Sequence, residues 1–201
     1  MIRFKLLGYP ISISYYFSAM LAFLLLIDES GAAFAGLMAA GCHELGHILM
    51  MWCLRCPKCS IRFTAYGIKI IQRNFGGYGY WRDFFIAVAG AAVNFLFFGL
   101  LTMLDICFPC WTLKNMAMSQ LAIGAFNILP IYPLDGGQAV YSLLCSRCSL
   151  KTAGICSNIC SFFFLTPLAC YAFYILFQSK YNFSMLVMVG YLLCLLFLKE
   201  K

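Results

Sequence analysis

Three residues with the spacing of a metal-dependent hydrolase site lie together in an apolar stretch: His43, Glu44 and His47. On an α-helix, a spacing of four residues places both imidazoles on one face, where they can share a metal ion. Glu44 is then placed to act as a general base. Ionisable residues inside an apolar segment are costly unless they are used, which disfavours a chance match. The pattern predicts a metal site on a helix.

The composition indicates the class of protein that surrounds this motif. Of the 201 residues, 64% are hydrophobic and only 10% are charged, whereas a soluble domain has about 25% charged residues. We therefore expect a polytopic protein of the lipid bilayer, with one domain over 1–201 and no separate soluble domain. The net charge of +7 then reflects topology and contact with anionic lipid, and it is not a signal for nucleic acid.

Hydropathy predicts an all-α fold with six transmembrane helices. A cleavable signal peptide is the alternative for the first helix, but Asp28-Glu29-Ser30 offers no small-residue cleavage site. The predicted spans cover about 17–27, 31–54, 84–104, 111–144, 154–177 and 183–198. With six spans, all basic residues except Lys114 and Lys180 fall on one side of the membrane. The positive-inside rule then predicts that both termini are cytoplasmic.

A β-hairpin is expected between the second and third helices. Ser60–Thr64 and Gly67–Gln72 both alternate at the strand period, and Tyr66-Gly67 supplies turn residues between them. We expect this hairpin to lie at the membrane surface. It could offer a strand edge to an extended peptide, or it could serve only as a surface anchor.

The fourth span is too long for one crossing and contains a break. Two prolines and two glycines interrupt it between Asn127 and Gly137, and such irregular backbone is tolerated in a membrane only where protein or a wet cavity surrounds it. At about 1.5 Å per residue, His47 and Asp135 both lie roughly 10–14 Å from the cytoplasmic ends of their helices. Asp135 is therefore predicted as a third metal ligand, although a role as a helix cap beside Gly136-Gly137 is the alternative.

Two polar amides inside apolar segments are further candidates. Asn94 follows a small-residue face that begins at Gly90, and small residues permit close helix packing. Asn94 could simply form a hydrogen bond with a neighbouring helix. Asn127, at the break, could contact a substrate or cap its own helix.

These motifs resemble those of the site-2 protease family of intramembrane zinc metalloproteases. The resemblance rests on His43-Glu44-Leu45-Gly46-His47, on Ala89 to Asn94, and on Asn127 to Gly137, and it extends to the strand-like Tyr9 to Ile13. It covers about residues 1–145, the expected catalytic core. Two additional helices over about 150–199 rest on hydropathy alone. The compact size is closest to the branch that processes sporulation factors.

The resemblance implies a metalloendopeptidase with one catalytic Zn²⁺ ion. His43, His47 and Asp135 would be the metal ligands, Glu44 the catalytic residue, and Asn127 a substrate-binding residue. The implied substrate is a membrane-associated protein that is cut near the cytoplasmic face, for example a pro-sigma factor. Membrane-protein inhibitors or regulators and further copies of the chain are conceivable partners. The alternatives are a general role on anti-sigma factors or signal-peptide remnants, a non-catalytic membrane zinc protein, and a metal permease.

The 12 cysteines allow one further metal hypothesis. Cys53, Cys56 and Cys59 follow the second helix, and Cys145 and Cys148 follow the fourth. Two such pairs could close a structural zinc site, but free thiols in a reducing cytosol are the plainer interpretation.

Overall fold

A computed structural model describes residues 2–6, 9–56, 60–64, 67–71, 79–179 and 183–198. These residues form seven α-helices and four β-strands. The helices are α1 (Tyr15–Ile27), α2 (Ala32–Cys53), α3 (Tyr80–Cys107), α4 (Trp111–Asn127), α5 (Asp135–Cys145), α6 (Leu150–Ser179) and α7 (Ser184–Leu198). The strands are β1 (Ile2–Leu6), β2 (Tyr9–Ile13), β3 (Ser60–Thr64) and β4 (Gly67–Ile71).

The helices follow the apolar segments of the sequence, with one division. The long segment over 111–144 forms two helices, because α4 ends at Asn127 and α5 begins at Asp135. The prolines at 130 and 133 lie in the connection, where they cannot interrupt helical hydrogen bonds. We call residues 128–134 the α4–α5 loop.

The four strands form one sheet in the order β1-β2-β3-β4. β3 and β4 pair antiparallel, and so do β1 and β2. The two pairs join through a parallel contact between β2 and β3, in which Ile11 lies opposite Ile61. We expected the hairpin and a strand-like segment at Tyr9 to Ile13 but not their pairing, because a parallel contact between strands about fifty residues apart leaves no local sequence pattern. The location of this sheet at the membrane surface stays a prediction.

The turn before α2 is held by one carboxylate. Asp28 accepts hydrogen bonds from the Ser30 hydroxyl at 2.6 Å and from the backbone N–H of Ala33 at 2.6 Å. Both bonds, and mainly the one from Ser30, lower the pKa of Asp28 below its ordinary value. An anionic side chain at the beginning of α2 also interacts favourably with the helix dipole.

Close packing of α2 on α3 depends on two glycines. A Cβ atom on Gly46 would lie only 2.7 Å from the carbonyl oxygen of Ala89 and 3.0 Å from Cα of Gly90. The small-residue face predicted at Gly90 is therefore a contact surface between helices. This contact brings the backbone of α3 directly against the helix that carries both histidines.

The outer surfaces of the helices are strongly apolar. Met103 and Ile106 of α3 are 70% and 77% exposed, and Phe163 and Phe177 of α6 are 72% and 79% exposed. Among the described helices, α3 and α6 are long and apolar enough to cross a membrane, judged by length and composition. α1 and α7 are apolar but shorter, while α2 carries the polar residues of the motif. The count of six spans and the orientation of the termini stay predictions.

Candidate metal centre

The side chains of His43, His47 and Asp135 converge between α2 and the beginning of α5. Oδ2 of Asp135 lies 2.7 Å from Nε2 of His43 and 3.1 Å from Nε2 of His47. The two Nε2 atoms are 3.2 Å apart. Both histidines are buried and Asp135 is half-buried. The sequence predicted that Asp135 lies beside the histidines, because both were expected at the same depth in the membrane. Within the described ranges, no other trio of His, Cys, Asp or Glu converges in this way.

A backbone carbonyl fixes the orientation of one histidine ring. Nδ1 of His47 lies 2.7 Å from the carbonyl oxygen of Ile86 on α3. A carbonyl oxygen can only accept, so Nδ1 carries a proton and Nε2 of the neutral ring presents its lone pair. Metal-bound histidines usually have such a partner on the second nitrogen. Sequence reasoning missed Ile86, because a contact with a backbone atom leaves no signal in the residue type.

Asp135 does not cap its own helix. It occupies the first position of α5, after Leu134 at the N-cap, and no side-chain capping bond is formed there. Its Oδ2 instead faces the two imidazoles. The positive end of the α5 dipole stabilises a carboxylate at this position. Asp135 thus faces the two histidines, and its role as a metal ligand stays a prediction.

Gly90 lies directly against the rings of His43 and His47. A Cβ atom at this position would lie 2.5 Å from Nε2 of His47 and 2.8 Å from Cε1 of His43. No side chain larger than hydrogen fits there unless a ring moves. The sequence predicted a small-residue face here, but it did not predict that this face touches the candidate ligands.

Asn94 connects three helices, as the plainer interpretation of its sequence position predicted. It is fully buried, and its Nδ2 donates to the carbonyl of Ala39 on α2 at 3.3 Å and to that of Gln120 on α4 at 3.5 Å. Ala39 lies one turn before His43. Asn94 therefore links the histidine-bearing helix to α4.

Two further residues from the sequence analysis are Glu44 and Asn127. Glu44 follows His43 directly on α2 and is half-buried, and its role as a general base stays a prediction. Asn127 is half-buried, and its Nδ2 donates to the carbonyl of Ile123 in its own helix at 3.0 Å. This bond uses one of its two N–H groups and leaves its oxygen and the second N–H for other partners.

The donor set and its spacing suit a zinc ion. Zinc–nitrogen distances of about 2.0–2.1 Å in tetrahedral sites separate neighbouring ligand atoms by roughly 3.3 Å. The three separations found here, 2.7, 3.1 and 3.2 Å, are close to that spacing. A shared cation would satisfy the three facing lone pairs at once. That these residues hold zinc stays a prediction.

The cysteine hypothesis receives no structural support. Cys56 and Cys145 are buried, while Cys53 and Cys148 are exposed, and none of these four described cysteines forms a disulfide. Within the described part of the chain they do not form a group that could hold a metal. Cys59 lies outside the described residues.

Comparison with known proteins supports the fold. No family model matches the chain. A relative from Synechocystis, named "Putative zinc metalloprotease sll0528", is 29% identical over 119 residues, or 56% of this chain. The match spans 31% of that relative's length, so the chain covers about a third of it. The solved structure of the site-2 protease from Methanocaldococcus jannaschii matches with a TM-score of 0.61 at 20% identity.

The structural match covers 100% of this chain and 95% of the archaeal protease chain. The match shows a shared fold, and two of the described helices, α3 and α6, are long and apolar enough to cross a bilayer. Coverage of the whole chain also includes α6 and α7, for which sequence motifs were lacking. The chain has the fold of a site-2 protease.

Proposed function

We propose that this protein is an intramembrane zinc metalloprotease that hydrolyses a peptide bond of a membrane-associated protein. The observation that carries this proposal is the convergence of His43, His47 and Asp135 on one point, with Glu44 next to His43 on the same helix. The names of the Synechocystis relative and of the archaeal protease support the same reaction class.

Each residue of the centre has a distinct role in this proposal. His43, His47 and Asp135 would hold one zinc ion, which when bound supplies a Lewis acid that polarises a carbonyl and lowers the pKa of water. Glu44 accepts the proton of the attacking water and later donates a proton to the leaving amine. Asn127 binds the substrate through the amide groups that its own helix does not use. A protein that only stored zinc would have no need for Glu44.

The substrate must be extended where it is cut, because a helix shields its own peptide bonds. The sheet has two edge strands, β1 and β4, since the order is β1-β2-β3-β4. We propose that the extended substrate pairs with one of these edges, as in other cases of strand addition. The cut then falls near the cytoplasmic face.

The membrane topology belongs to the same proposal. Six spans with both termini in the cytoplasm place Lys201 inside and Lys180 outside. A cytoplasm-dependent fluorescent reporter fused after residue 201 should be active, and the same reporter fused after residue 180 should be inactive. Activity at residue 180 would contradict the proposed topology.

The substrate class with the most specific support from the sequence resemblance is a membrane-tethered pro-sigma factor. The test is its co-expression with the wild-type chain, with Glu44→Gln, and with Glu29→Gln as a matched control. Glu29 lies in the turn before α2, so its amide variant should cut at the wild-type rate. Glu44→Gln should lose at least about 100-fold in cleavage while it retains zinc.

The outcomes separate the mechanism from the identity of the substrate. Equal cutting by the wild type and Glu44→Gln would contradict the proposed mechanism. If no form cuts the pro-sigma factor, that substrate is wrong, and an anti-sigma factor and a signal-peptide remnant are tested in the same way.

A further inference from the structure

Helices α6 and α7 supply no ligand to the candidate centre, yet they hold the loop that leads to Asp135. Ile131, in the middle of the α4–α5 loop, is fully buried in an apolar cluster. Its partners in that cluster come from the two last helices: Leu165, Ala172, Val189 and Leu192. Leu129 and Leu134 of the loop pack against the same cluster. The loop is therefore anchored on α6 and α7.

A buried hydroxyl on α6 supplies a polar link to the same loop. The backbone N–H of Tyr132 donates to Oγ of Ser161 at 3.0 Å. That hydroxyl donates its own proton to the carbonyl of Ser157 at 2.8 Å. Ser161 is fully buried, and its donor and acceptor roles are both in use. The bond ties the part-buried backbone of Tyr132 to a fully buried hydroxyl of α6, so it restrains the loop at Tyr132.

The loop backbone also touches the helix that begins at Asp135. A Cβ atom on Gly137 would lie 2.5 Å from the carbonyl carbon of Ile131 and 2.6 Å from the nitrogen of Tyr132. The backbone at 131–132 thus contacts both Ser161 and Gly137. Gly137 lies two residues after Asp135 in the first turn of α5. A displacement of the loop must therefore move the first turn of α5.

We propose that Ser161 is a positioning residue for Asp135 and acts on it through the α4–α5 loop. The inference rests on the proposed zinc site. Without the Ser161 hydroxyl, the part-buried N–H of Tyr132 loses this acceptor, and the loop shifts toward another partner. Asp135 then spends less time with its Oδ2 beside both histidines, and the centre binds zinc more weakly.

The neighbouring Ser157 provides a matched control on the same helix. It lies one turn before Ser161 and is 1% exposed. Its hydroxyl has no hydrogen-bond partner among the described residues. Ser157→Ala thus removes the same atom from the same buried face but leaves the bond to the loop intact. Any general effect of a Ser-to-Ala change in α6 should appear in both variants.

The experiment uses the full chain in lipid nanodiscs and two readouts that do not depend on cleavage. Hydrogen exchange of the peptide that contains Tyr132 reports the loop, and competition with a chelator gives the Kd for Zn²⁺. Ser161→Ala should accelerate exchange at Tyr132 and raise the zinc Kd about tenfold, the lower end of the effect of removing support from a ligand. Ser157→Ala should stay within about twofold of the wild type in both readouts. Ser161→Thr, which keeps the hydroxyl, should restore most of the zinc affinity.

If the wild type binds one zinc ion, two results would overturn this inference without affecting the proposed function. In the first, Ser161→Ala accelerates exchange at Tyr132 but leaves the zinc Kd unchanged. In the second, Ser161→Ala and Ser157→Ala behave alike. If Ser161→Ala does not fold, Ser161→Cys replaces it, since a thiol of similar size is a weaker acceptor and should raise the Kd by a smaller factor. A wild-type chain that binds no zinc would instead overturn the proposed function.

Discussion

The two sides of the candidate centre position their ligands by different means. On the histidine side, one uninterrupted helix carries both ligands, and a spacing of four residues places them on the same face. On the aspartate side, α4 ends and an irregular loop follows before α5 begins at the ligand itself. The first arrangement is fixed by helix geometry, whereas the second depends on contacts with other elements.

The glycines around the centre show the same difference. Gly90 faces side-chain atoms of the histidines, which can rotate within limits. Gly136 faces main-chain atoms, because a Cβ there would lie 2.0 Å from the carbonyl oxygen of Ile128 and 2.5 Å from that of Leu129. Backbone atoms cannot move aside without moving the loop. The same substitution, Gly to Ala, should therefore have different consequences on the two sides.

The largest effect is expected for Gly136→Ala. The added methyl group collides with the backbone of the loop, so loop and helix must separate, at a cost of about 3 kcal/mol or more. This outweighs the gain of about 1 kcal/mol from helix propensity. The midpoint of thermal unfolding in detergent should fall by several degrees, and zinc content should fall with it.

Gly154→Ala on α6 is the matched control for that experiment. A Cβ at Gly154 would meet no atom within 4 Å, so only the propensity gain remains and the midpoint should stay the same or rise slightly. If Gly136→Ala were as stable as Gly154→Ala, the loop would not be packed against α5 as described.

A smaller loss of stability but a selective loss of zinc is expected for Gly90→Ala. Its methyl group would overlap Nε2 of His47, so the ring must turn away from the position it shares with His43. We expect a rise of about 100-fold in the zinc Kd, at the upper end of effects on ligand orientation, with about 1–3 kcal/mol of destabilisation. Measurement of zinc affinity and unfolding on the same samples separates the two effects.

Gly99→Ala on the same helix controls for the change of residue type, because a Cβ at Gly99 would meet no atom within 4 Å. It should bind zinc as the wild type does. Equal zinc affinity of the two variants would show that Gly90 does not face the ligands, and the description of the histidine side would be wrong.

The histidine side was largely predictable from the sequence, and the aspartate side only in part. His43, Glu44 and His47 form a local pattern whose geometry a helix dictates. Asp135 required a global argument about depth, yet the structure brings it to the histidines. The loop contacts with Ser161 and the role of Ile131 were not predictable, because a serine in an apolar helix has no distinctive spacing. The parallel pairing of β2 with β3 was not predicted either, because pairing between distant strands leaves no mark in the local alternation of residues.

A substitution at Asn94 tests whether the histidine side and the aspartate side of the centre depend on each other. Its amide connects α2 with α4, so Asn94→Leu removes two hydrogen bonds while it keeps a similar volume. Because the two carbonyls are helical and keep their other partners, the loss should be only about 1 kcal/mol. Zinc affinity should fall a few-fold. The Thr102 hydroxyl donates to the carbonyl of Phe98 within α3, so Thr102→Val should leave the zinc affinity unchanged. Equal effects of both changes would argue against a link through Asn94.

The smallest structural effect is expected for Asn127→Ala, at the C-terminal end of α4. Its bond to Ile123 lies within α4, so the free energy of unfolding should change by less than about 1 kcal/mol. If its remaining amide groups bind substrate as proposed, kcat/KM should fall about tenfold with no change in the zinc Kd.

Asn127→Asp distinguishes the groups involved, because it keeps an acceptor and loses both donors. Activity of Asn127→Asp near that of the wild type would assign the acceptor, and activity as low as that of Asn127→Ala would assign the donor. Unchanged kcat/KM in both variants would reduce Asn127 to a helix-terminating residue, and the aspartate side would then contribute Asp135 alone to the chemistry.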